Sequence, residues 1–302
     1  MEDDDWEAPA DAQVTLRMRR GSKTTAFVLA GGGSLGAVQV GMLMALSDAG
    51  VRPDLVVGSS VGALNAAFFA GEPTAAGAAK LATIWRGLRR RDVFPFTLRT
   101  VANWFGTTGA LFESVRLRRL IEENLGYENL QEAGVPLHVV ATSLAGESVC
   151  LSSGCAADAV MASAAIPAVF PAVEIGGRYL MDGAVSGNTP ILTAAEIGAT
   201  RIVVLPTGFA CNLHEPPRGA VARGFHALTL LIAHQLVRDL ARLAGTVEIF
   251  TVPPLCPLSI SPFDFGQSAV MIARAADDTR SWLASGGLER QEIPHELIAH
   301  RH

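Results

Sequence analysis

Apolar residues come in two rhythms along this chain. Short, mostly apolar runs stand at Ala26-Phe27-Val28-Leu29, Leu55-Val56-Val57, Leu137–Thr142, Arg201–Leu205 and Val247–Val252. Runs of this length bounded by Gly, Pro or polar residues predict buried strands. Between them lie longer stretches, rich in small and apolar residues, that predict helices near Leu35–Ala49, Val61–Ala70, Thr74–Leu88, Pro190–Ile197, Phe225–Leu243 and Gly266–Leu283. Strand and helix alternate. That order predicts an α/β fold: a single-domain, three-layer α/β/α arrangement with a mostly parallel central sheet. Residues 1–23 are expected to be a mobile N-terminal arm, 24–285 the folded domain and 286–302 a C-terminal tail.

One apolar stretch raises a membrane question. Thr24 to Ser47 carries no formal charge, and such a length is enough to span a bilayer. Three consecutive glycines, Ser34 and Gln39 interrupt it. The expectation is a buried strand, a loop and a helix, with no transmembrane span. The acidic start Met1-Glu2-Asp3-Asp4-Asp5 lacks the basic-then-apolar pattern of a signal peptide. A cytoplasmic protein, peripheral to membranes, is therefore expected.

Composition adds two constraints. With 49% hydrophobic and 18% charged residues, 302 residues can build a large core in one unit. The net charge of −5 argues against a nucleic-acid partner. Cys150, Cys155, Cys211 and Cys256 lack metal-type Cys-x-x-Cys spacing, and read as buried or free thiols in a reducing compartment.

The chemistry is concentrated in two glycine-rich runs. Gly31-Gly32-Gly33-Ser34-Leu35-Gly36 follows the first strand and opens a helix. Gly58-Ser59-Ser60-Val61-Gly62 does the same after the second. The second is G-x-S-x-G, a nucleophile elbow, in which Ser60 sits on a sharp strand-to-helix turn. The first presents bare backbone N–H groups at a helix start, suited to an oxyanion. It also matches the dinucleotide fingerprint G-x-G-x-x-G. That alternative needs an acidic residue at the end of the second strand, where this chain has Gly58-Ser59-Ser60; Asp54 lies before the strand.

A nucleophilic serine needs a base. Of the seven histidines, His214, in the loop Asn212–Pro217, is the one serious triad candidate. Against a triad stands the spacing: only one helix and one strand separate the glycine run from the elbow. A better partner is Asp182 in Tyr179-Leu180-Met181-Asp182-Gly183-Ala184, where a strand-like segment runs into a tight bend.

Taken together, these residues resemble the patatin-like phospholipase family. Four blocks carry the resemblance in family order: Gly31–Gly36; Gly58–Gly62; Ala162-Ser163-Ala164-Ala165-Ile166-Pro167; and Asp182-Gly183-Ala184-Val185-Ser186-Gly187-Asn188-Thr189-Pro190. It covers roughly Thr25 to Pro206. The resemblance implies lipid acyl hydrolysis by a Ser–Asp dyad without histidine or cofactor. Ser60 would be the nucleophile, Asp182 the base, and Gly31, Gly32 and Gly33 the oxyanion hole, with a lipid as the substrate partner. Two rival readings stay open: an acyltransferase or thioesterase on the same dyad, and a dinucleotide-binding protein.

Other residues carry weaker expectations. Many members of the family have Arg or Lys where this chain has Leu35. Ser163 and Pro167 match a Ser-x-x-x-Pro segment, read as helix-ending support. Asn188 doubles as a candidate N-cap for the Pro190–Ile197 helix. Arg86, Arg89, Arg90 and Arg91 precede an aromatic stretch, Asp92–Phe96 and Asn103–Gly106, which is the candidate cap over an acyl pocket.

Overall fold

A computed structural model describes residues 23–94, 112, 114–208, 223, 232 and 235–297. The expected arm at 1–23 therefore lies outside the described residues, except for Lys23. So do most of the aromatic stretch after Phe94, His214, and all of the Phe225–Leu243 helix except 232 and 235–243. Residues 235–243 are helical.

The strands expected from the apolar runs form: β1 (Thr25–Leu29), β2 (Leu55–Ser59), β3 (Leu137–Ser143), β7 (Arg201–Leu205) and β8 (Glu248–Thr251). Three short strands join them: β4 (Ser148–Leu151), β5 (Val173–Ile175) and β6 (Arg178–Met181). The sheet order is β5-β6-β3-β2-β1-β7-β8, with β4 also paired to β3. From β3 to β8 the strands run parallel, while β4, β5 and β6 are antiparallel additions at one side.

Helices cover the sheet. They are α1 (Gly36–Asp48), α2 (Val61–Gly71), α3 (Ala75–Gly87), the short α4 (Arg90–Val93), α5 (Val115–Asn124), α6 (Ala156–Ser163), α7 (Ala184–Gly187), α8 (Ile191–Glu196) and α9 (Ser268–Ala284). The β1 side chains alternate. Phe27 and Leu29 join the core under α1, α2 and α3, while Ala26 and Val28 join the core under α8 and Leu236. This is the expected α/β/α layering.

The uncharged stretch resolves into β1, a 3₁₀ turn at Gly33–Leu35, and α1. Helix α1 is apolar almost all round because it is buried almost all round. Gly41 permits this: a Cβ there would press on Ala275 Cβ and the Ala276 backbone at 2.8 Å, so α1 and α9 approach closely. No helix among the described residues is long and apolar enough to cross a membrane.

Register places the site. Leu29 of β1 pairs with Gly58 of β2 and with Leu205 of β7. The three strands thus end together, and Ala30-Gly31, Ser60 and Pro206-Thr207 emerge side by side at the carboxyl edge of the sheet, where open α/β sheets bind ligands.

One boundary differs from the sequence expectation. Pro190, not Asn188, is the N-cap residue of α8; Asn188 is drawn instead to the glycine run. The segment after α9 packs against β7 and β8. Arg201 donates to Leu288 O at 3.4 Å, Gln291 Oε1 accepts the Ile249 N–H at 3.1 Å, and Leu297 is buried.

Candidate active site

Ser60 sits at the N-cap of α2 with φ 55° and ψ −127°. A non-glycine residue at positive φ is strained, and such strain is held only where surrounding structure enforces it. Here Gly58 and Gly62 enforce it. A Cβ on Gly58 would meet Gly62 O at 2.5 Å, and one on Gly62 would meet Leu29 O and Ala30 O. The turn can close only with both side chains missing. Its third restraint comes from α6: Ser163 Oγ accepts the Ser60 N–H at 2.9 Å and donates to Val140 O at 2.5 Å. Ser163, expected to end a helix, does so, and also ties the elbow to β3.

Asp182 follows β6 and is held by its backbone. Its N–H donates to Ala165 O at 2.9 Å and its carbonyl accepts Thr142 Oγ1–H at 2.8 Å. Gly183 lets this bend lie against β3 and β2, since a Cβ there would meet Val140 O and Ser59 Oγ. Ser60 Oγ donates to Asp182 Oδ2 at 2.7 Å, and the Ala184 N–H donates to Oδ1 at 2.8 Å. Asp182 is only 2% exposed. Burial pushes its carboxyl up to about 6, against the opposite pull of the Ser60 and Ala184 hydrogen bonds. A carboxyl shifted this way is chemically suited to accept a proton near neutral pH.

The glycine run divides its labour. Gly31 has its N–H committed to Asn188 O at 3.0 Å. Its carbonyl accepts Thr207 Oγ1–H at 2.7 Å and the Asn188 Nδ2–H at 3.4 Å. A Cβ on Gly31 would lie 2.9 Å from Ser60 Cβ, so the loop passes directly beside the elbow. Of the three expected oxyanion donors, Gly31 is thus already used. The N–H groups of Gly32 and Gly33 have no hydrogen-bond partner among the described residues, and both glycines line the cavity. Beyond them the loop is tied again: the Ser34 N–H donates to Pro262 O at 2.8 Å.

A buried amide pair fixes both ends of the loop. Gln39 Nε2 donates to Ala30 O at 2.7 Å and to Leu205 O at 2.9 Å. Asn65 Nδ2 donates to Gly36 O at 2.9 Å and to Gln39 Oε1 at 2.8 Å, and Asn65 Oδ1 accepts the Trp85 indole N–H at 2.8 Å. These residues received no role from the sequence. A signal was present, since Gln39 and Asn65 are amides inside otherwise apolar helices, and buried amides must find partners.

Beside Ser60 lies a cavity of about 120 Å³. Leu35, Phe94, Ile166, Leu236, Phe263 and Leu297 are among its apolar walls. Asp182 is the one ionisable side chain among its described lining residues. Leu35 is fully buried here, so the position where the resembling family often carries a cation contributes apolar wall. The fingerprint reading of Gly31–Gly36 gains nothing from this surface, which offers hydrocarbon where a ribose-binding acid would be needed.

A family model described as patatin-like phospholipase matches residues 27–195. The chain belongs to the patatin-like phospholipase family. The matched region holds the glycine run, Ser60 and Asp182, and the family is one of hydrolases. Patatin-like phospholipase domain-containing protein 7 of Mus musculus is 26% identical over 202 residues, which are 66% of this chain and 14% of that protein. An uncharacterised NTE family protein of Mycobacterium tuberculosis is 30% identical over 191 residues, 62% of this chain and 50% of its own length. This patatin-like chain thus spans a small part of the mammalian relative and half of the mycobacterial one. Among solved structures, that of VipD from Legionella pneumophila aligns over 89% of this chain and 67% of that chain, with a TM-score of 0.49 and 15% identity.

Proposed function

We propose that this protein is a serine lipid acyl hydrolase that cleaves carboxylic esters of lipids or phospholipids through an acyl-enzyme, with Ser60 and Asp182 as a two-residue catalytic unit. The observation that carries the reading is the 2.7 Å hydrogen bond from Ser60 Oγ to Asp182 Oδ2 beside an apolar cavity.

Ser60 Oγ attacks the ester carbonyl as its proton passes to Asp182. The carbonyl oxygen becomes an oxyanion, stabilised by the N–H groups of Gly32 and Gly33 and by the positive end of α2. The tetrahedral species collapses; the C–O bond to the alcohol breaks, and protonated Asp182 returns its proton to the departing oxygen. Water then attacks the acyl-enzyme while Asp182 takes a water proton. Collapse releases the fatty acid and reprotonates Ser60. Two-carboxyl-oxygen anchoring supports this assignment: Oδ1 is held by Ala184, which leaves Oδ2 for Ser60. General-base help of this kind is worth roughly 10²–10⁴-fold.

The test is turnover of a series running from short chromogenic esters to phospholipid vesicles, with products identified in the presence and absence of an added alcohol or thiol acceptor. Free fatty acid as the dominant product supports hydrolysis. Acyl transfer to the acceptor in preference to water would make the protein a transferase on the same site. No turnover of any ester would remove the reading.

A further inference from the structure

The protein carries a net charge of −5, yet five of its arginines lie on two adjoining helices, one of which ends at a residue of the cavity wall. Arg89, Arg90 and Arg91 begin α4, and Arg116 and Arg119 lie one turn apart on α5; all five are exposed. The two helices touch there, with Arg116 Nη1 donating to Arg91 O at 3.2 Å. Three of the nearby acids are engaged elsewhere, while Glu123 stands exposed one turn from Arg119. Asp92 Oδ2 accepts the Arg89 backbone N–H at 2.9 Å, and Glu122 and Asp158 both pair with Arg118. None of the five guanidinium groups has an acidic partner among the described residues. Residues 94–114, which connect the two helices, carry one acid, Glu113, and one further arginine, Arg99.

The basic face is continuous with the cavity wall. The Phe94 N–H donates to Arg90 O at 2.7 Å, so the residue that ends α4 hangs directly from it, and Phe94 lines the cavity. Val115, at the start of α5 next to Arg116, is 62% exposed. Five cations on two touching helices, with an exposed valine on one and a cavity-wall residue ending the other, suit the charged plane and shallow hydrocarbon of a lipid surface.

We infer that Arg89, Arg90, Arg91, Arg116 and Arg119 form a docking face for an anionic bilayer, which brings the cavity to its lipid. The inference adds a partner and a binding surface to the proposed function and rests on that reading for its purpose, but not for its test. Charge attraction must be local, because the average charge of the protein opposes it. Attraction of this type is worth about fivefold in partitioning per arginine near the surface, and it is screened by salt.

The experiment is co-sedimentation with unilamellar vesicles of phosphatidylcholine alone and of phosphatidylcholine with one third phosphatidylglycerol. The wild-type protein is expected to partition at least ~10-fold more strongly to the anionic vesicles at low salt, and to lose the preference at high salt. The variant Arg90→Glu/Arg91→Glu/Arg116→Glu/Arg119→Glu is expected to lose the preference, whereas the matching Arg→Lys variant keeps it. Both variants should retain the wild-type circular dichroism and hydrolyse a soluble short-chain ester within about twofold of wild type, because these side chains lie outside the catalytic group. Equal binding of wild type to both vesicles, or undiminished anionic binding by the charge-reversed variant, overturns the inference. The two readings fail separately: vesicle binding without ester turnover removes the hydrolase, and turnover without vesicle selectivity removes the docking face.

Discussion

Ser163 Oγ stands between the Ser60 N–H, which it accepts at 2.9 Å, and Val140 O, to which it donates at 2.5 Å. One hydroxyl on α6 thereby satisfies the strained elbow and joins it to β3. Ser163→Ala leaves the Ser60 N–H buried and unpaired. That should lower stability by about 1–3 kcal/mol, measured by denaturant unfolding, and should lower kcat more than it raises KM. Unchanged stability would mean that the elbow holds its φ of 55° without this bond.

The glycine run makes a second prediction. A Cβ on Gly32 would lie 2.7 Å from Thr207 Cβ, so the added methyl strikes β7's extension rather than the cavity. Thr207 in turn bonds Gly31 O at 2.7 Å. Gly32→Ala should therefore displace the loop that carries the two unpaired N–H groups. The expected loss is ~10²-fold or more in kcat with a smaller change in KM. Full activity in a folded Gly32→Ala protein would reduce the run to a packing turn.

Legibility followed the range of the physics involved. The parallel strands were readable because they bury both faces and so appear as mostly apolar runs, as at Val28-Leu29 and Val203-Val204-Leu205. The antiparallel β4 and β5 were not; Ser148–Leu151 and Val173–Ile175 are short, half-exposed and carry no such run. Ser60 and Asp182 could be proposed because their turns require glycine at 58, 62 and 183, a local demand. The donor status of Gly31 could not be read. It depends on Asn188 O, a residue far along the chain whose contact exists only after β1 and the Asp182 segment meet. Leu297 was hidden for the same reason: nothing local in a terminal segment signals that it will wall a cavity.

The pH profile follows from Asp182. In the proposed mechanism its ionised form is the base, so kcat/KM on a neutral ester should rise with pH through about 6 and level off above. Stability moves the other way. The folded carboxyl binds its proton more tightly than the unfolded one, so the native state holds more protons between about pH 4 and 6. The contribution of Asp182 to stability therefore falls as pH rises through that window. Asp182→Asn has no such proton to lose. It should therefore gain on wild type across the window, by about 1–3 kcal/mol above pH 6, while losing at least ~10²-fold in kcat. Parallel stability curves for the two proteins would contradict the buried, ionised carboxyl.

Phe94 tests the cavity. Its ring lies 5.4 Å from that of Phe263 and 5.7 Å from those of Phe112 and Phe170, and it walls the space beside Ser60. Phe94→Ala should raise the ratio of kcat/KM for a long-chain over a short-chain nitrophenyl ester by about 10-fold, with Phe94→Leu intermediate. A buried methylene is worth ~0.8 kcal/mol, so a few added contacts suffice. A ratio unchanged in both variants would place the acyl chain elsewhere.

The most direct test of the two-residue mechanism is the site and rate of covalent capture by a fluorophosphonate, read by mass spectrometry of the digested protein. The account predicts a single adduct on the Ser60 peptide, none in Ser60→Ala, capture slowed by ~10²-fold or more in Asp182→Asn, and near wild-type capture in His214→Ala. An adduct on another residue, or loss of capture in a folded His214→Ala protein with Asp182 intact, would contradict it.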